Sequence, residues 1–368
     1  MSKPKRDLAP VPAADLQPGL VVATYGRHCL VETPEGRRLI CHPRGKKNQV
    51  VVGDQVFWQI AGDEGSIEKL RDRRNLFYRQ DEIRTKSFAA NLDRVLILIA
   101  ADPEYSESQL SRALVAAEAE RITPIIALNK SDLAQPFAQA WERLAPYRAM
   151  GYSVMPVSLN PRSAVADDGV QALCEQLKGL TTLVLGPSGS GKSTLINRLV
   201  PDAQVETGEI SLALNSGKHT TTSTRWYWVP SLDGPNDGSH DKGSDTRSEN
   251  RSDNRSDNRS DNRAESGDAD SDTSGVSSAG VARKTALIDS PGFQEFGLHH
   301  IEPTRLADCM PDLRAHVGSC KFYNCTHLHE PGCGVLAQVE SATQAGTISV
   351  RRHRIYAQLF EELSQQRW

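Results

Sequence analysis

A glycine-rich loop holds the residues most clearly placed for chemistry, because it joins the apolar strand TTLVL to an apolar-periodic helix. Its members are Gly186, Pro187, Ser188, Gly189, Ser190, Gly191, Lys192, Ser193 and Thr194. The pattern G-x-x-x-x-G-K-[ST] lets backbone N–H groups close around phosphate oxygens at a helix N-terminus. We expect Lys192 to reach the β- and γ-phosphates and the Ser193 hydroxyl to ligate Mg²⁺. A chance Gly/Ser turn is the alternative, and the strand–loop–helix context favours a nucleotide site over it.

A second motif, N-K-S-D, addresses which base is bound. It follows the apolar strand PIIAL and consists of Asn129, Lys130, Ser131 and Asp132. A carboxylate such as Asp132 accepts hydrogen bonds from two adjacent N–H groups of guanine, a pair that adenine lacks. Asn129 and Lys130 are expected to brace the base and the phosphate loop. Alone, the tetrapeptide also fits a helix cap after a strand, but together with the phosphate loop it predicts GTP rather than ATP.

Two further stretches are candidates for contacts with magnesium and the γ-phosphate. D-S-P-G runs from Asp289 to Gly292 after the strand TALI. We expect Asp289 to hold Mg²⁺ through water and the Gly292 N–H to contact the γ-phosphate, although an ordinary Asp-initiated turn has the same four letters. In KHTTTST, Thr221 or Thr222, in preference to Thr220, is expected to complete the magnesium shell; a Thr-rich strand edge is the alternative.

The order of these motifs is permuted relative to most GTPases, in which the phosphate loop comes first and N-K-x-D late. Here N-K-S-D precedes the phosphate loop and D-S-P-G comes last. A permutation keeps the sheet and relocates the termini, which is tolerated where they lie close together. It also attaches the segment after Asp289 directly to the C-terminal region, which we expect to report the nucleotide state. VSLN at 157–160 is in position for a guanine-supporting loop but matches that pattern poorly.

The fourth constellation has the spacing C-x4-C-x-H-x5-C near the C-terminus. Its members are Cys320, Cys325, His327 and Cys333. Three thiolates and one imidazole in so short a span suit a closed, tetrahedral zinc site with a structural role. Incidental clustering of a buried cysteine pair with a loop histidine is the alternative, and His329 is a neighbouring candidate ligand.

The apolar pattern divides the chain into distinct regions. A flexible tail is expected at 1–18, and short alternating runs at 19–80 predict a small β-barrel. Alternating strands and helices at 91–300 predict a mostly parallel sheet with helices on both faces. Within that region, 231–280 is rich in Ser, Asp, Asn, Arg and Gly with tandem RSDN repeats, so we expect it to be disordered. The region 301–368 is expected to be helical and to carry the metal cluster.

Charge and cysteine content exclude several classes of protein. The net charge is −3, but 233–272 carries twelve acids and six bases, so the rest of the chain has a net charge of +3. A mildly basic body permits a nucleic-acid partner without requiring one. Apolar runs are too short to span a bilayer, and the N-terminus lacks the apolar stretch of a secretory signal. Seven cysteines, three of them clustered, favour a reducing compartment over a disulfide framework. We therefore expect a cytoplasmic protein without a membrane partner.

The motifs NKSD, GPSGSGKST, GKHTTT, DSPGF and CKFYNCTHLHEPGC, flanked by a small barrel, closely resemble one family. It is the ribosome small-subunit-dependent GTPases (RsgA, also called YjeQ), which are bacterial and chloroplast assembly factors; the resemblance covers about 19–360 apart from the repeat insert. It implies an α/β protein with an N-terminal OB-fold barrel, a circularly permuted P-loop G domain and a C-terminal zinc-binding helical domain. It also implies binding to the small (30S) ribosomal subunit late in maturation, and GTP hydrolysis stimulated by that subunit.

The resemblance also bears on catalysis and on partners. The residue after D-S-P-G is Phe293 where many GTPases have a water-orienting Gln, and the family shares such an apolar replacement. His219 matches a family histidine suggested as the catalytic group; a structural or RNA-contacting role is the alternative. The sequence departs from the family at Ser190, where Val is common, and at Ser290, where Thr is usual. The cofactors implied are GTP, Mg²⁺ and one structural Zn²⁺, and we expect a monomer that binds 16S rRNA.

Two basic stretches are candidates for RNA contact, although each alone also fits solvated charge. One lies near the barrel and comprises Arg71, Arg73, Arg74 and Arg79; the other is R-R-H-R, 351–354, on a predicted helix. Two other functions stay open. One is a GTPase acting on a different RNA or translation target, and the other is a nucleotide-independent RNA-binding scaffold. The intact phosphate loop and N-K-S-D argue against the scaffold.

Overall fold

The computed structural model describes residues 16–44, 50–82, 84–162, 166–201, 203, 224–233, 283–290, 296–340 and 346–365. Most of the expected tail and of the 231–280 insert lie outside these ranges. So do four residues of the predicted site, namely His219, Thr221, Thr222 and Gly292. The expectations about them therefore stay predictions.

The N-terminal region forms a closed barrel of five strands. They are β1 Gln17–Tyr25, β2 His28–Glu32, β3 Arg38–Pro43, β4 Gln55–Ala61 and β5 Glu64–Leu70. The strand order is β1-β2-β3-β5-β4, and β4 pairs back onto β1 to close the barrel. Alternate residues such as Val21, Val31, Val56 and Ile67 are buried inside it, as the period-two pattern predicts. The predicted small barrel is confirmed.

A hairpin separates the barrel from the next region and was not predicted. It consists of β6 Leu76–Gln80 and β7 Thr85–Ala90, which pair with each other and form a sheet of their own. Its strands are short and carry polar residues such as Arg79 and Lys86, so the sequence gives only a weak strand signal there. The aromatic rings of Phe77 and Phe88 lie 5.9 Å apart and anchor the hairpin in the core.

The central region is the predicted α/β sheet. Five parallel strands lie in the order β10 Ser153–Pro156, β9 Thr123–Asn129, β8 Arg94–Ala100, β11 Thr181–Leu185 and β13 Ala286–Asp289. The antiparallel strand β12 Arg225–Trp228 follows β13. The helices are α1 Glu107–Ala119, α2 Ala134–Arg143, α3 Ala145–Ala149, α4 Ala166–Leu177 and α5 Lys192–Leu199.

Side-chain alternation along β8 shows how the sheet is covered on both faces. Val95, Ile97 and Ile99 pack in the core that contains α1, while Leu96 and Leu98 pack in the core that contains α4 and α5. All five are buried. A run that is apolar at every position is what a central parallel strand requires, since neither of its faces meets water.

The barrel and the central sheet are continuous. β12 pairs with β1 of the barrel through Ala23 and Arg225, so eleven strands form a single sheet. The Trp228 indole N–H donates to the Glu32 carboxylate over 2.6 Å and reinforces this junction. The barrel is therefore attached to the strand that follows the Thr-rich stretch.

The C-terminal region packs on α1. It contains α6 Pro311–Val317 and α7 Val350–Ser364, separated by the cysteine-rich loop. Leu313, Ile355 and Leu359 share the apolar core of α1 residues such as Leu110 and Leu114. Within the described ranges, no helix combines the length and the apolar character needed to cross a bilayer.

Candidate functional site

The predicted nucleotide motifs lie at the carboxyl ends of the parallel strands, where the phosphate loop and N-K-S-D line one cleft. Asn129 ends β9, the glycine-rich loop follows β11, and Asp289 ends β13. Ligands of open α/β sheets bind at this edge. The cleft measures about 790 Å³ and is lined by Asn129, Lys130, Asp132, Leu133, Leu159, Asn160, Pro161, Gly186, Pro187, Ser188, Gly189, Gly191, Lys192, Ser193 and Thr194. A volume of this size accommodates a nucleoside triphosphate.

The glycine-rich loop needs two of its glycines for steric reasons. Gly191 has a φ of +98°, and a Cβ there would lie 2.4 Å from Nδ2 of Asn129. A Cβ on Gly186 would lie 2.5 Å from the carbonyl oxygen of Leu98. Both contacts are too short for any side chain, so the loop packs closely on β8 and β9. Gly191 leads into α5, whose N-terminus gives the cleft a favourable field for phosphate.

The side chain of Asn129 forms hydrogen bonds with three segments that line the cleft. Its side chain is buried and donates from Nδ2 to the Ser190 carbonyl over 2.8 Å. Its Oδ1 accepts from the backbone N–H of Lys130 (2.7 Å) and of Leu159 (3.1 Å). One amide thus joins the phosphate loop, N-K-S-D and the loop after β10. These contacts hold the phosphate loop, and the expected contact of Asn129 with the base stays a prediction.

The carboxylate of Asp132 is held by the loop that the sequence analysis judged a poor match. Ser158 Oγ donates to Asp132 Oδ1 over 2.8 Å, and Asn160 Nδ2 donates to Oδ2 over 3.0 Å. Hydrogen bonds from Asn160 and Ser158 lower the pKa of Asp132, so it stays ionised at neutral pH. An ionised carboxylate fixed at the cleft can accept from two neighbouring N–H groups, which guanine provides.

Lys192 and Asp289 meet across the phosphate end of the cleft. Lys192 Nζ lies 2.5 Å from Asp289 Oδ1, and the lysine side chain is largely buried. The next residue, Ser290, is buried and donates from Oγ to the Val184 carbonyl over 3.0 Å. The end of β13 is therefore held against β11, and a cation and a carboxylate lie side by side where phosphate and magnesium are expected.

Among the described residues of the predicted nucleotide set, Ser131, Ser190 and Asp289 do not line the cleft. The hydroxyl of Ser190 is buried and finds no hydrogen-bond partner among the described residues. Ser131 contributes a backbone N–H that donates to the Val157 carbonyl over 3.1 Å. The buried hydroxyl of Ser190 therefore does not face the cleft, and its expected contact with phosphate stays a prediction.

One loop near the cleft was missed by sequence reasoning. The Lys130 ammonium donates to the Asp102 carbonyl, and Lys130 itself has a left-handed backbone with φ +68°. A Cβ on Gly189 would lie 3.5 Å from the ring of Pro103. The loop after β8 thus supports both N-K-S-D and the phosphate loop. Nothing in its sequence marks it, because its contribution is a backbone carbonyl and a proline ring.

The cysteine-rich loop brings its four predicted ligands together. Their ligand atoms all lie within 4.8 Å of one another. Cys320 Sγ lies 3.9 Å from Cys333 Sγ and 3.4 Å from His327 Nδ1, and Cys333 Sγ lies 3.5 Å from the same nitrogen. Tetrahedral zinc with bonds of ~2.3 Å to sulfur and ~2.0 Å to nitrogen needs S–S edges of about 3.8 Å and S–N edges of about 3.5 Å. The donor set and the separations among Cys320, His327 and Cys333 therefore fit zinc, and the Cys325 ligand atom lies within 4.8 Å of the others.

Neighbouring groups fix the shape of this loop. His353 Nε2 donates to the His327 carbonyl over 2.8 Å, and the Tyr356 hydroxyl donates to the Thr326 carbonyl over 2.8 Å. The Glu330 carboxylate accepts from the backbone N–H of Thr326 and of Leu328. His329 is exposed and outside the four-residue cluster. Hydrogen bonds from α7 therefore hold the backbone of the cysteine-rich loop in place. Groups outside the ligand set orient the ligands in the same way in other metal sites.

The structure changes the interpretation of the two basic stretches. Arg352 is buried and paired with Asp312, and Arg351 pairs with Glu107 over 3.0 Å. Near the barrel, Arg73 pairs with Asp54 and Arg74 with Asp93, at 2.7 Å in each case. Each of these four arginines forms an ion pair with a carboxylate of the same chain. The remaining exposed candidates of the two stretches are Arg71 and Arg354.

Comparisons with known proteins agree on one family. The model of the RsgA GTPase family matches residues 70–234. A small ribosomal subunit biogenesis GTPase RsgA from Variovorax paradoxus is 58% identical, with 100% of both chains covered. One of the same name from Paraburkholderia xenovorans is 45% identical over 96% of each chain.

Solved structures show the same fold. YjeQ from Thermotoga maritima aligns with a TM-score of 0.62 and 24% identity over 96% of this chain and 100% of its own. YloQ, described as a circularly permuted GTPase, aligns with a TM-score of 0.59 and 22% identity over 96% of this chain and 97% of its own. The predicted fold class is confirmed: a circularly permuted G domain with an N-terminal barrel and a C-terminal Cys/His cluster.

Proposed function

Because the chain belongs to the RsgA GTPase family and is therefore a GTP hydrolase, we propose that it hydrolyses GTP during biogenesis of the small ribosomal subunit. Relatives that match over nearly their whole length carry that function in their names. The observation that carries the assignment to the cleft is the buried Asn129 amide, which joins the phosphate loop to the guanine-selecting motif. Hydrolysis late in maturation would release the GTPase or another factor from the subunit.

The proposed roles of the cleft residues follow from their positions. The backbone of 186–191 binds phosphate oxygens, and Lys192 binds the β- and γ-phosphates in place of its contact with Asp289. Ser193 and Asp289 hold Mg²⁺, with Thr221 or Thr222 from the Thr-rich stretch. Asp132 recognises guanine, and its contacts with Ser158 and Asn160 support that role. His219 is the proposed catalytic group, and the Gly292 N–H contacts the γ-phosphate.

Two metals belong to this proposal. Mg²⁺ would neutralise charge that develops on the phosphates during hydrolysis. Zn²⁺ would bind at Cys320, Cys325, His327 and Cys333, where the ligand separations fit its radius. Zinc in such a closed site is structural, and its binding free energy contributes directly to folding.

The proposed partner is the small subunit, contacted through 16S rRNA by a monomer in the cytoplasm. Exposed basic residues such as Arg71 on the barrel and Arg354 on α7 are available to phosphate. All seven cysteines are free thiols, which suits a reducing compartment. A different RNA or translation target is the competing proposal.

The test is GTP turnover by the purified protein, alone and with isolated small ribosomal subunits, with ATP as the control substrate. We expect slow turnover alone and a large stimulation by the subunit that is specific for GTP. A Lys192→Ala variant should lose turnover in both conditions, because the phosphate contact is removed. Slow turnover that the subunit leaves unchanged would contradict the ribosomal assignment while keeping the GTPase one. Equal turnover of ATP would contradict the role of Asp132.

A further inference from the structure

Arg112, in the middle of α1, joins three separate parts of the chain. Its Nη1 donates to the Phe296 carbonyl over 3.2 Å and to Glu362 Oε1 over 2.8 Å. Its Nη2 donates to the second carboxylate oxygen of Glu362. The side chain is largely buried. Because Nη1 of Arg112 donates to both Phe296 and Glu362, a displacement of Glu362 also moves the guanidinium that binds the Phe296 carbonyl.

Phe296 lies shortly after the motif D-S-P-G along the chain. It follows Ser290, which is held at the end of β13, by only six positions. Its ring lies 5.6 Å from Phe77 and 5.9 Å from Phe88. The next residue, Gly297, accepts from the Gln80 N–H over 3.0 Å. The hairpin β6–β7 and Arg112 together therefore set the positions of Phe296 and Gly297.

Glu362 connects this point to the metal loop through α7. The helix holds the loop at His353 and Tyr356 and reaches Arg112 two turns later at Glu362. Hydrogen bonding and positive charge from Arg112 hold the pKa of Glu362 below its usual range, so this carboxylate is ionised at neutral pH. A charged, bidentate pair has a narrow geometric optimum, which makes it sensitive to small shifts of the helix.

We propose that Arg112 is a positioning residue for GTP hydrolysis, coupling the C-terminal helix α7 to the segment that follows Asp289. A partner that shifts α7 weakens or redirects the hydrogen bond from Arg112 to the Phe296 carbonyl. Because Phe296 follows Asp289 closely along the chain, this change alters the position of Asp289 relative to the nucleotide. By reciprocity, the nucleotide in the cleft alters the docking of α7. The link to a partner rests on the proposed function; the link between nucleotide and helix does not.

A matched pair of variants separates this coupling from general docking of the C-terminal region. Glu362→Ala removes the carboxylate that holds Arg112. Arg314→Ala removes another ion pair between α1 and the C-terminal region, Arg314 with Glu118 at 3.2 Å. Amide hydrogen exchange of 350–364 is measured in the full chain with GDP and with GMPPNP. GTP turnover with small subunits and GDP affinity are measured in parallel.

We expect wild type and Arg314→Ala to show a nucleotide-dependent difference in exchange, and Glu362→Ala to lose it. Subunit-stimulated turnover of Glu362→Ala should fall about fivefold or more, with GDP affinity unchanged, because typical coupling between sites is of that size. The proposal is overturned if wild type shows no difference in exchange, if Glu362→Ala keeps it, or if Arg314→Ala loses it equally. Should Glu362→Ala fail to fold, Arg112→Lys keeps the charge but cannot make the three contacts, and the same outcomes apply. The hydrogen-exchange measurement needs no ribosomal particle. If small subunits failed to stimulate GTP turnover in wild type and in every variant, that result would contradict only the proposed function.

Discussion

Replacing Asp312 by asparagine tests the buried ion pair that holds the C-terminal region on the G domain. Arg352 donates to both oxygens of Asp312, over 2.9 Å and 3.2 Å. Its third contact is with the Ser111 hydroxyl on α1 over 2.8 Å, and its guanidinium lies 5.1 Å from the ring of Tyr147. The side chains of the pair are only 4% and 6% exposed. Water therefore cannot replace the lost carboxylate.

The expected magnitude follows from that burial. Removing one partner of a buried pair leaves an uncompensated charge and costs about 3–5 kcal/mol of the free energy of unfolding. The exposed pair of Arg314 and Glu118, with side chains 51% and 19% exposed, is the control. Arg314→Ala should cost about 0–1 kcal/mol. Replacing both members of the buried pair, Arg352→Met with Asp312→Leu, should restore most of the stability, since no unpaired charge remains.

The assay is urea denaturation followed by far-UV circular dichroism, with zinc present and without nucleotide. With a slope of about 1–3 kcal/mol per molar urea, a loss of about 3–5 kcal/mol should lower the Asp312→Asn midpoint by about 1–5 M. The reasoning is refuted if that midpoint falls no further than that of Arg314→Ala. It is also refuted if the double variant is as unstable as the single one, because the loss would then come from packing rather than from the unpaired charge.

Three further predictions concern the cleft and the metal loop. Ser158→Ala should lower the preference for GTP over ATP in competition binding about five- to tenfold, since one hydrogen bond to Asp132 is lost; an unchanged preference would count against that contact. Gly191→Ala should abolish measurable GTP binding in equilibrium titration, because its Cβ would lie 2.4 Å from the Asn129 amide; tight binding would show that the loop tolerates a side chain. Cys333→Ser should reduce bound zinc, measured by elemental analysis, from one equivalent to near zero and lower the melting temperature; full zinc content would exclude Cys333 as a ligand.

Residue types and their spacing along the chain predicted the chemistry and the class of fold. The phosphate loop, N-K-S-D and the four metal ligands each lie within a short stretch, so residue type and spacing carry the signal without knowledge of distant contacts. The alternation of apolar runs likewise predicted the barrel and the parallel sheet, because both patterns follow from which faces are buried. The order of the motifs identified the permutation.

Contacts between residues far apart in the chain hold these parts in place, and they become visible only in the folded protein. Ser158 meets Asp132 across 26 positions, and Arg112 meets Glu362 across 250. No local pattern encodes such pairs. The R-R-H-R stretch reads as a solvated basic patch, yet packing buries Arg352 against Asp312, 40 positions away. A binding motif consists of residues that are close together in the sequence, so it can be recognised from the sequence. The burial of a side chain and the residue with which it pairs depend on which distant parts of the chain the fold brings into contact.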